Sequence, residues 1–154
     1  MQDSITLREL HAEEMPSTDA IYDELRFART DPSCTRMLGA FDGDRLVGLG
    51  RLINLGAHGG AEHFELGGMW VDASLRRTGL ANRIIRGLLP WMAPDAKLWC
   101  TPFEHLMPLY GAHGFESVPE GEAPPRLIER LAGCASAQDA VSYTHLTLPT
   151  TPYV

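Results

Sequence analysis

A chain of 154 residues, 44% hydrophobic and 21% charged, has room for one ordinary core and is too apolar to stay disordered. Its formal net charge of -7 disfavours nucleic acid and anionic membranes as partners, because phosphate-rich surfaces are held by basic ones. The three cysteines, Cys34, Cys100 and Cys134, are widely spaced with no CxxC pair, and the first residues lack both a basic stretch and an apolar run, so the expectation is a cytoplasmic protein with free thiols.

Alternation of Ile5 and Leu7 predicts a first strand at about residues 4 to 9, and Ser17 then precedes Ile21, Leu25 and Ala28 at helical spacing. Arg36 to Phe41 and Arg45 to Leu55 flank Asp42-Gly43-Asp44, the pattern of a β-hairpin. Gly56 to Gly60 reads as a break, and His63 to Val71 as a fourth strand interrupted by Gly67-Gly68. Adjacent glycines in a strand signal either a bulge or a weak strand end. Leu80, Ile84, Ile85, Leu88 and Leu89 then fall on one side of a helix, with Asn82, Arg83 and Arg86 on the other. Lys97 to Thr101 predicts a fifth strand, Phe103 to His113 a helix, and Phe115 to Val118 a sixth strand. Pro124 and Pro125 open a short helical segment from Arg126 to Leu131. This order predicts an α/β or α+β fold, with a mixed, mainly antiparallel sheet of six to seven strands and helices on its faces.

The character changes beyond Cys134. Val141 to Val154 is rich in threonine and proline and contains no Asp, Glu, Lys or Arg, so it reads as a non-native tail behind a domain of residues 1–140. Its Val141, Tyr143, Thr144 and Leu146 nonetheless have strand-forming character and suit the last edge of the sheet.

The strongest chemical signal is Arg76-Arg77-Thr78-Gly79-Leu80-Ala81, directly after a predicted strand and opening a predicted helix. Backbone N–H groups at a helix start are unpaired and the helix dipole adds positive charge, so such a turn can cradle a pyrophosphate. Gly79 would admit the anion to the backbone, Arg76 would add a charged donor, and Ala81 is small enough to keep the helix start open. The same residues also read as a basic, solvated helix cap.

The strand, the R-x-x-G-x-A turn and the helix resemble the acyl-CoA motif of the GCN5-related N-acetyltransferases. The resemblance runs from about Ile5 to Val118. It includes the Asp-Gly-Asp hairpin with Val47-Gly48, the strand end Met69-Trp70-Val71-Asp72, and Leu109-Tyr110-Gly111-Ala112-His113-Gly114-Phe115, which is similar to the family's LYxxxGF segment.

The resemblance implies acetyl-CoA as cosubstrate and a small-molecule amine as acceptor; whether the chain forms a homodimer stays open. It implies that the backbone of Met69 to Val71 pairs with the pantetheine arm and that the N–H groups from Arg77 to Ala81 hold the pyrophosphate. The Gly67-Gly68 bulge would splay the fourth strand from the fifth. Glu65 takes the position of a catalytic base, Tyr110 that of the acid for the departing thiolate, and the Val71 N–H that of the oxyanion donor. An alkylamine, with a reference pKa of about 10.4, needs such a base at neutral pH. Glu65 also reads as a strand-end carboxylate facing water, and Tyr110 as a core aromatic. A protein lysine or N-terminal acceptor, or a non-catalytic acyl-CoA-binding module, are the alternatives.

No metal is expected, since His58, His63, His105 and His113 show neither HxxxH nor HExxH spacing. His63 or His105 would line the substrate pocket or sit partly exposed, and Cys100 reads as a small buried hydrophobe. Two positions depart from the family pattern. Phe103 stands where many members carry a CoA-contacting Asn, and Pro108, two residues before Tyr110, is expected to kink its helix. The interval between first and second strands has room for one good helix, which implies an open acceptor pocket.

Overall fold

Two tight hairpins build the first half of the sheet. The computed structural model describes residues 4–100, 107–117, 124–129 and 146–148. Strand β1 (Ile5–Glu9) pairs antiparallel with β2 (Thr35–Asp42), which turns at Asp42↔Arg45 into β3 (Arg45–His58). The expected break from Gly56 to Gly60 is shorter than that: β3 runs on to His58, and β4 (Ala61–Val71) begins at Ala61, paired with it. Gly59 and Gly60, with φ of 61° and 82°, make the two-residue turn, and both central residues being left-handed is what a type I′ hairpin needs. Gly56 is instead a register shift within β3, its N–H bonded to the Asn54 side chain at 2.8 Å.

Between β1 and β2 lie a 3₁₀ segment (Ala12–Thr18) and α1 (Asp19–Leu25), which Arg26 ends in a left-handed conformation. The expected helix was to run on past Leu25, but the left-handed Arg26, its N–H bonded back to the Asp23 carbonyl at 3.1 Å, ends it there. Helix α2 (Leu80–Leu88) buries Leu80, Ile84, Ile85 and Leu88 against Leu38, Ala40, Val47, Leu52 and Leu66. Each such side chain contributes about 1.5–3 kcal/mol. The helix sits close because Gly50 has no side chain: a Cβ there would lie 2.7 Å from Ile84 and 2.8 Å from Leu88.

After α2, β5 (Lys97–Cys100) joins β4 in parallel. Helix α3 (Met107–Gly111), β6 (Glu116–Ser117), a helical turn at 125–129 and β7 (Leu146–Leu148) complete the described chain. The seven strands form one sheet in the order β1-β2-β3-β4-β5-β7-β6. The strand from the tail is therefore not at the sheet's edge, as expected, but between β5 and β6, with antiparallel partners on both sides. Residues 141–145 lie outside the described residues. On the face opposite α2, Tyr22, Met15 and Leu10 pack on Met37 and Leu49, and Leu127 packs with Ile53, Leu55 and Trp99.

Candidate active site

The site lies where β4 and β5 part. Among the described residues their pairing runs His63↔Lys97, Phe64↔Leu98 and Glu65↔Trp99, although β4 continues to Val71. From Leu66 onward β4 is bonded, among the described residues, to β3 alone. The Gly67-Gly68 bulge falls just past the parting: Gly67 pairs with Arg51 and Trp70 with Leu49, so Gly68 and Met69 together oppose Gly50. Gly68 has φ of 60°, a left-handed conformation that glycine takes without a steric penalty.

One extra residue reverses the side-chain alternation of a strand. Phe64 and Leu66 before the bulge, and Met69 and Val71 after it, therefore all pack in the cluster on the α2 face, while Trp70 joins Tyr22 and Leu49 on the other. Backbone direction follows as well. The Asp72 N–H donates to the Val47 carbonyl at 2.8 Å, so one residue earlier the N–H and C=O of Val71 point away from β3, toward the open edge.

This edge leads directly into the turn. Asp72 accepts from the Ser74 N–H at 3.1 Å and pairs with Arg45 at 2.9 Å, and these partners, Ser74 first, hold its carboxyl below the ordinary value. A 3₁₀ turn (Ala73–Leu75) precedes Arg76, and the Thr78 hydroxyl donates to the Leu75 carbonyl at 2.5 Å. Arg77 and Gly79 on either side of Thr78 are both left-handed, with φ of 63° and 85°. For Arg77 this is uncommon backbone costing on the order of 1–2 kcal/mol, and no sequence signal pointed to it.

Helix α2 makes its first bond from the Arg83 N–H to the Gly79 carbonyl at 3.1 Å. The N–H groups of Leu80, Ala81 and Asn82 thus leave the helix end without an intrahelical acceptor. A Cβ on Gly79 would meet nothing within 4 Å, so the space in front of the turn is open. The residues present fit a pyrophosphate. Arg76 and Arg77 are exposed, and the Arg76 Nε lies 3.5 Å from the Val71 carbonyl.

Glu65 stands at the root of the opening and is buried, at 7% exposure. The expectation of a strand-end carboxylate facing water does not hold, because β3 and β5 flank its backbone on both sides through Ile53 and Trp99. Gly67 leaves it space: the Glu65 Oε2 is 3.4 Å from where a Cβ at that position would be. Cys100 is buried and its thiol is pushed up, by burial first and by the charge of Glu65 second. That favours the neutral thiol, a packing group rather than a nucleophile.

His63, two residues earlier, is buried and bonded through both ring nitrogens. Trp99 donates its indole N–H to Nδ1 at 2.9 Å, so Nε2 carries the proton and donates to the His58 carbonyl at 2.9 Å. It locks β4 to β5 beside Glu65, a structural role that spacing alone did not reveal.

Tyr110 lies in α3, and its side chain is outside the described residues, as is Phe103. Pro108 is the second residue of α3, and residues 101–106, the stretch against which the expected kink would form, lie outside the described residues. The Pro108 carbonyl accepts from Ala112 at 3.1 Å. Just beyond, buried His113 bonds the Asn82 side-chain oxygen at 2.8 Å and ties the end of α3 to α2. Burial, and secondarily Arg86, hold its imidazole below the ordinary value. Among the described residues no group of three His, Cys, Asp or Glu could hold a metal ion, and no helix is long and apolar enough to cross a membrane.

Residues 4–115 match the model of the acetyltransferase (GNAT) family. No curated protein matches the chain. Among solved structures it is similar to N-acetylglutamate synthase from Neisseria gonorrhoeae complexed with coenzyme A and L-arginine, at 14% identity and a TM-score of 0.66. That match covers 94% of this chain and 33% of the synthase, so the chain spans about a third of that relative. It is also similar to Escherichia coli ElaA, with 18% identity, a TM-score of 0.63 and coverage of 94% and 99%. Arabidopsis thaliana NAA60 in complex with acetyl-CoA gives 14% identity, a TM-score of 0.65 and coverage of 93% and 96%.

Proposed function

The chain belongs to the acetyltransferase (GNAT) family, and on that premise we propose that it transfers the acetyl group of acetyl-CoA to an amine of a small molecule. One observation carries this reading: the edge of β4 that is unpaired among the described residues runs from buried Glu65 straight into the open, N–H-rich turn that starts α2. An extended pantetheine arm adds to such an edge as a strand would, with its pyrophosphate at the N–H groups of Leu80 to Asn82.

Within that frame Glu65 takes the proton of the acceptor ammonium, directly or through water. The Val71 N–H donates to the acyl oxygen as the nitrogen attacks and charge builds there. Tyr110 gives its phenol proton to the sulfur as the C–S bond breaks. The ammonium loses two protons on its way to the amide: one to Glu65 before attack, which passes on to solvent, and a second from the nitrogen of the tetrahedral intermediate, which returns through water to the Tyr110 phenolate once its phenol proton has gone to the sulfur, so the products are the N-acetyl amide and CoA thiol. Residues 1–140 are the proposed transferase domain, with 141–154 a non-native tail of which β7 uses a part.

A second reading has one observation in its favour. Beside the 3₁₀ segment, α1, seven residues long, is the one α-helix between β1 and β2, and a cleft so lightly covered suits a peptide acceptor, a lysine or an N-terminus. A thiol-release assay with acetyl-CoA over small amines, amino acids and short peptides tests both. Turnover confined to peptides would select the second reading. Saturating CoA is expected to raise the melting temperature. CoA binding with no turnover on any acceptor would leave a non-catalytic acyl-CoA-binding module.

A further inference from the structure

The face of the sheet opposite α2 carries a cluster that the transfer reading does not use. Tyr22 of α1 is fully buried among Leu10, Met15, Met37 and Leu49. Burial pushes its phenol well above the ordinary value, against the pull of Arg51. A buried hydroxyl needs a partner, and this one donates to the Gly68 carbonyl of β4 at 2.8 Å. The Arg51 guanidinium covers the Tyr22 ring at 4.0 Å and is anchored in turn by the Ala28 carbonyl at 2.8 Å and the Thr30 hydroxyl at 3.1 Å. Both side chains fill the space a larger residue at Gly68 would need: its Cβ would lie 2.9 Å from the Tyr22 hydroxyl, and Arg51 Nε is closer still.

The extra residue of a bulge falls out of the ladder and is free to reorient. Tyr22 removes that freedom. Gly68 sits midway between Glu65 and Val71 in sequence, so its carbonyl is the point about which the paired and open parts of β4 would swing against each other. We propose that Tyr22 is a positioning residue for acyl transfer: through Gly68 its hydroxyl sets where the Val71 N–H stands relative to Glu65. The inference rests on the transfer reading above and deepens it. Tyr22 touches no reactant and acts through the bulge.

Tyr22→Phe keeps the ring under Arg51 and removes one hydroxyl. With acetyl-CoA and the best acceptor of the panel, kcat is expected to fall about tenfold to a hundredfold, the usual result of a small misplacement of reacting groups. KM for acetyl-CoA and Kd for CoA, governed by the turn beyond the bulge, are expected to stay within about twofold. Amide hydrogen exchange is expected to quicken at residues 66–71 while β1 and β2 keep their rates. Gly68→Ala disturbs the same contact from the other side, and its effect on kcat is expected not to multiply with that of Tyr22→Phe. If Gly68→Ala does not fold, the exchange pattern and kinetics of Tyr22→Phe decide alone.

Unchanged kcat in Tyr22→Phe, or a loss matched by equal loss of CoA affinity with faster exchange throughout the sheet, would overturn the proposal. A wild-type protein that turns over while Tyr22→Phe equals it removes this inference only. A wild-type protein that neither binds CoA nor releases thiol removes the transfer reading, and the inference falls with it.

Discussion

The two halves of β4 differ in what their backbone edges meet. From His63 to Glu65 the strand lies between β3 and β5; from Leu66 to Val71 it is paired, among the described residues, with β3 alone. The first half is held by His63, whose two hydrogen bonds join it to Trp99 and His58. The second half contains Gly67 and Gly68 near its start and is held by Tyr22. An open strand edge in the middle of a sheet is ordinarily a liability, prone to pairing with other chains. Here it adjoins a helix start whose first N–H groups have no intrahelical acceptor, so one strand is held on both sides at one end and leads into the proposed CoA site at the other.

The largest test of that division acts at its boundary. Glu65→Gln is expected to lower turnover about 10² to 10⁴-fold while leaving CoA affinity unchanged, with a residual rate that climbs more steeply with pH as free amine accumulates. Tyr110→Phe is expected to lower turnover within the same range without that pH signature. Comparing the two pH–rate profiles separates loss of a base from loss of an acid; wild-type turnover in Tyr110→Phe would assign the thiolate proton to water.

A smaller effect probes the far end of the open half. A β-branched side chain at position 79 would be strained by the φ of 85°, so Gly79→Asn is the cleaner substitution, asparagine tolerating left-handed backbone. It is expected to weaken CoA binding by about tenfold at nearly unchanged melting temperature, as read by calorimetry. Full affinity would move the pyrophosphate site elsewhere.

Smaller again are changes outside β4. Removing residues 141–154 takes away β7 and its bonds to β5 and β6, and is expected to lower the melting temperature by on the order of 5 °C. Removing residues 149–154 alone is expected to change nothing measurable. Equal melting temperatures for the two truncations would deny β7 a stabilising role.

The smallest concerns His113. Its folded pKa is depressed below 6.5, so the unfolded chain binds the proton more readily. Stability from this group is therefore complete above that pH and lost as pH falls through it. His113→Gln, keeping a donor for Asn82, is expected to flatten the decline in urea midpoint between about pH 8 and pH 5. An unchanged slope would place the acid sensitivity elsewhere.

Local pattern was enough to find most of the parts. The alternation around Ile5, the Asp42-Gly43-Asp44 hairpin and the amphipathic run from Leu80 to Leu89 correspond to β1, the β2–β3 turn and α2 because each depends on neighbours a few residues away. The turn ahead of α2 was legible for the same reason: Gly79 and the helix start act through backbone within one short segment. Where neighbours did not suffice, the expectations slipped. Gly56 read as a break because a glycine bulge inside a strand and a glycine turn between strands look alike without the partner strand. The tail's strand read as an edge because only the assembled sheet gives it neighbours on both sides.

By itself the sequence determined the family, the alternation that makes the sheet's two faces, and the segment whose free N–H groups can meet an anion. Only the tertiary structure decided that β4 and β5 part just after Glu65, that Glu65 is buried there, and that Tyr22 and Arg51 close on Gly68 from far along the chain. Those are contacts between residues tens of positions apart, and their strength depends on burial, which no local pattern of residues specifies.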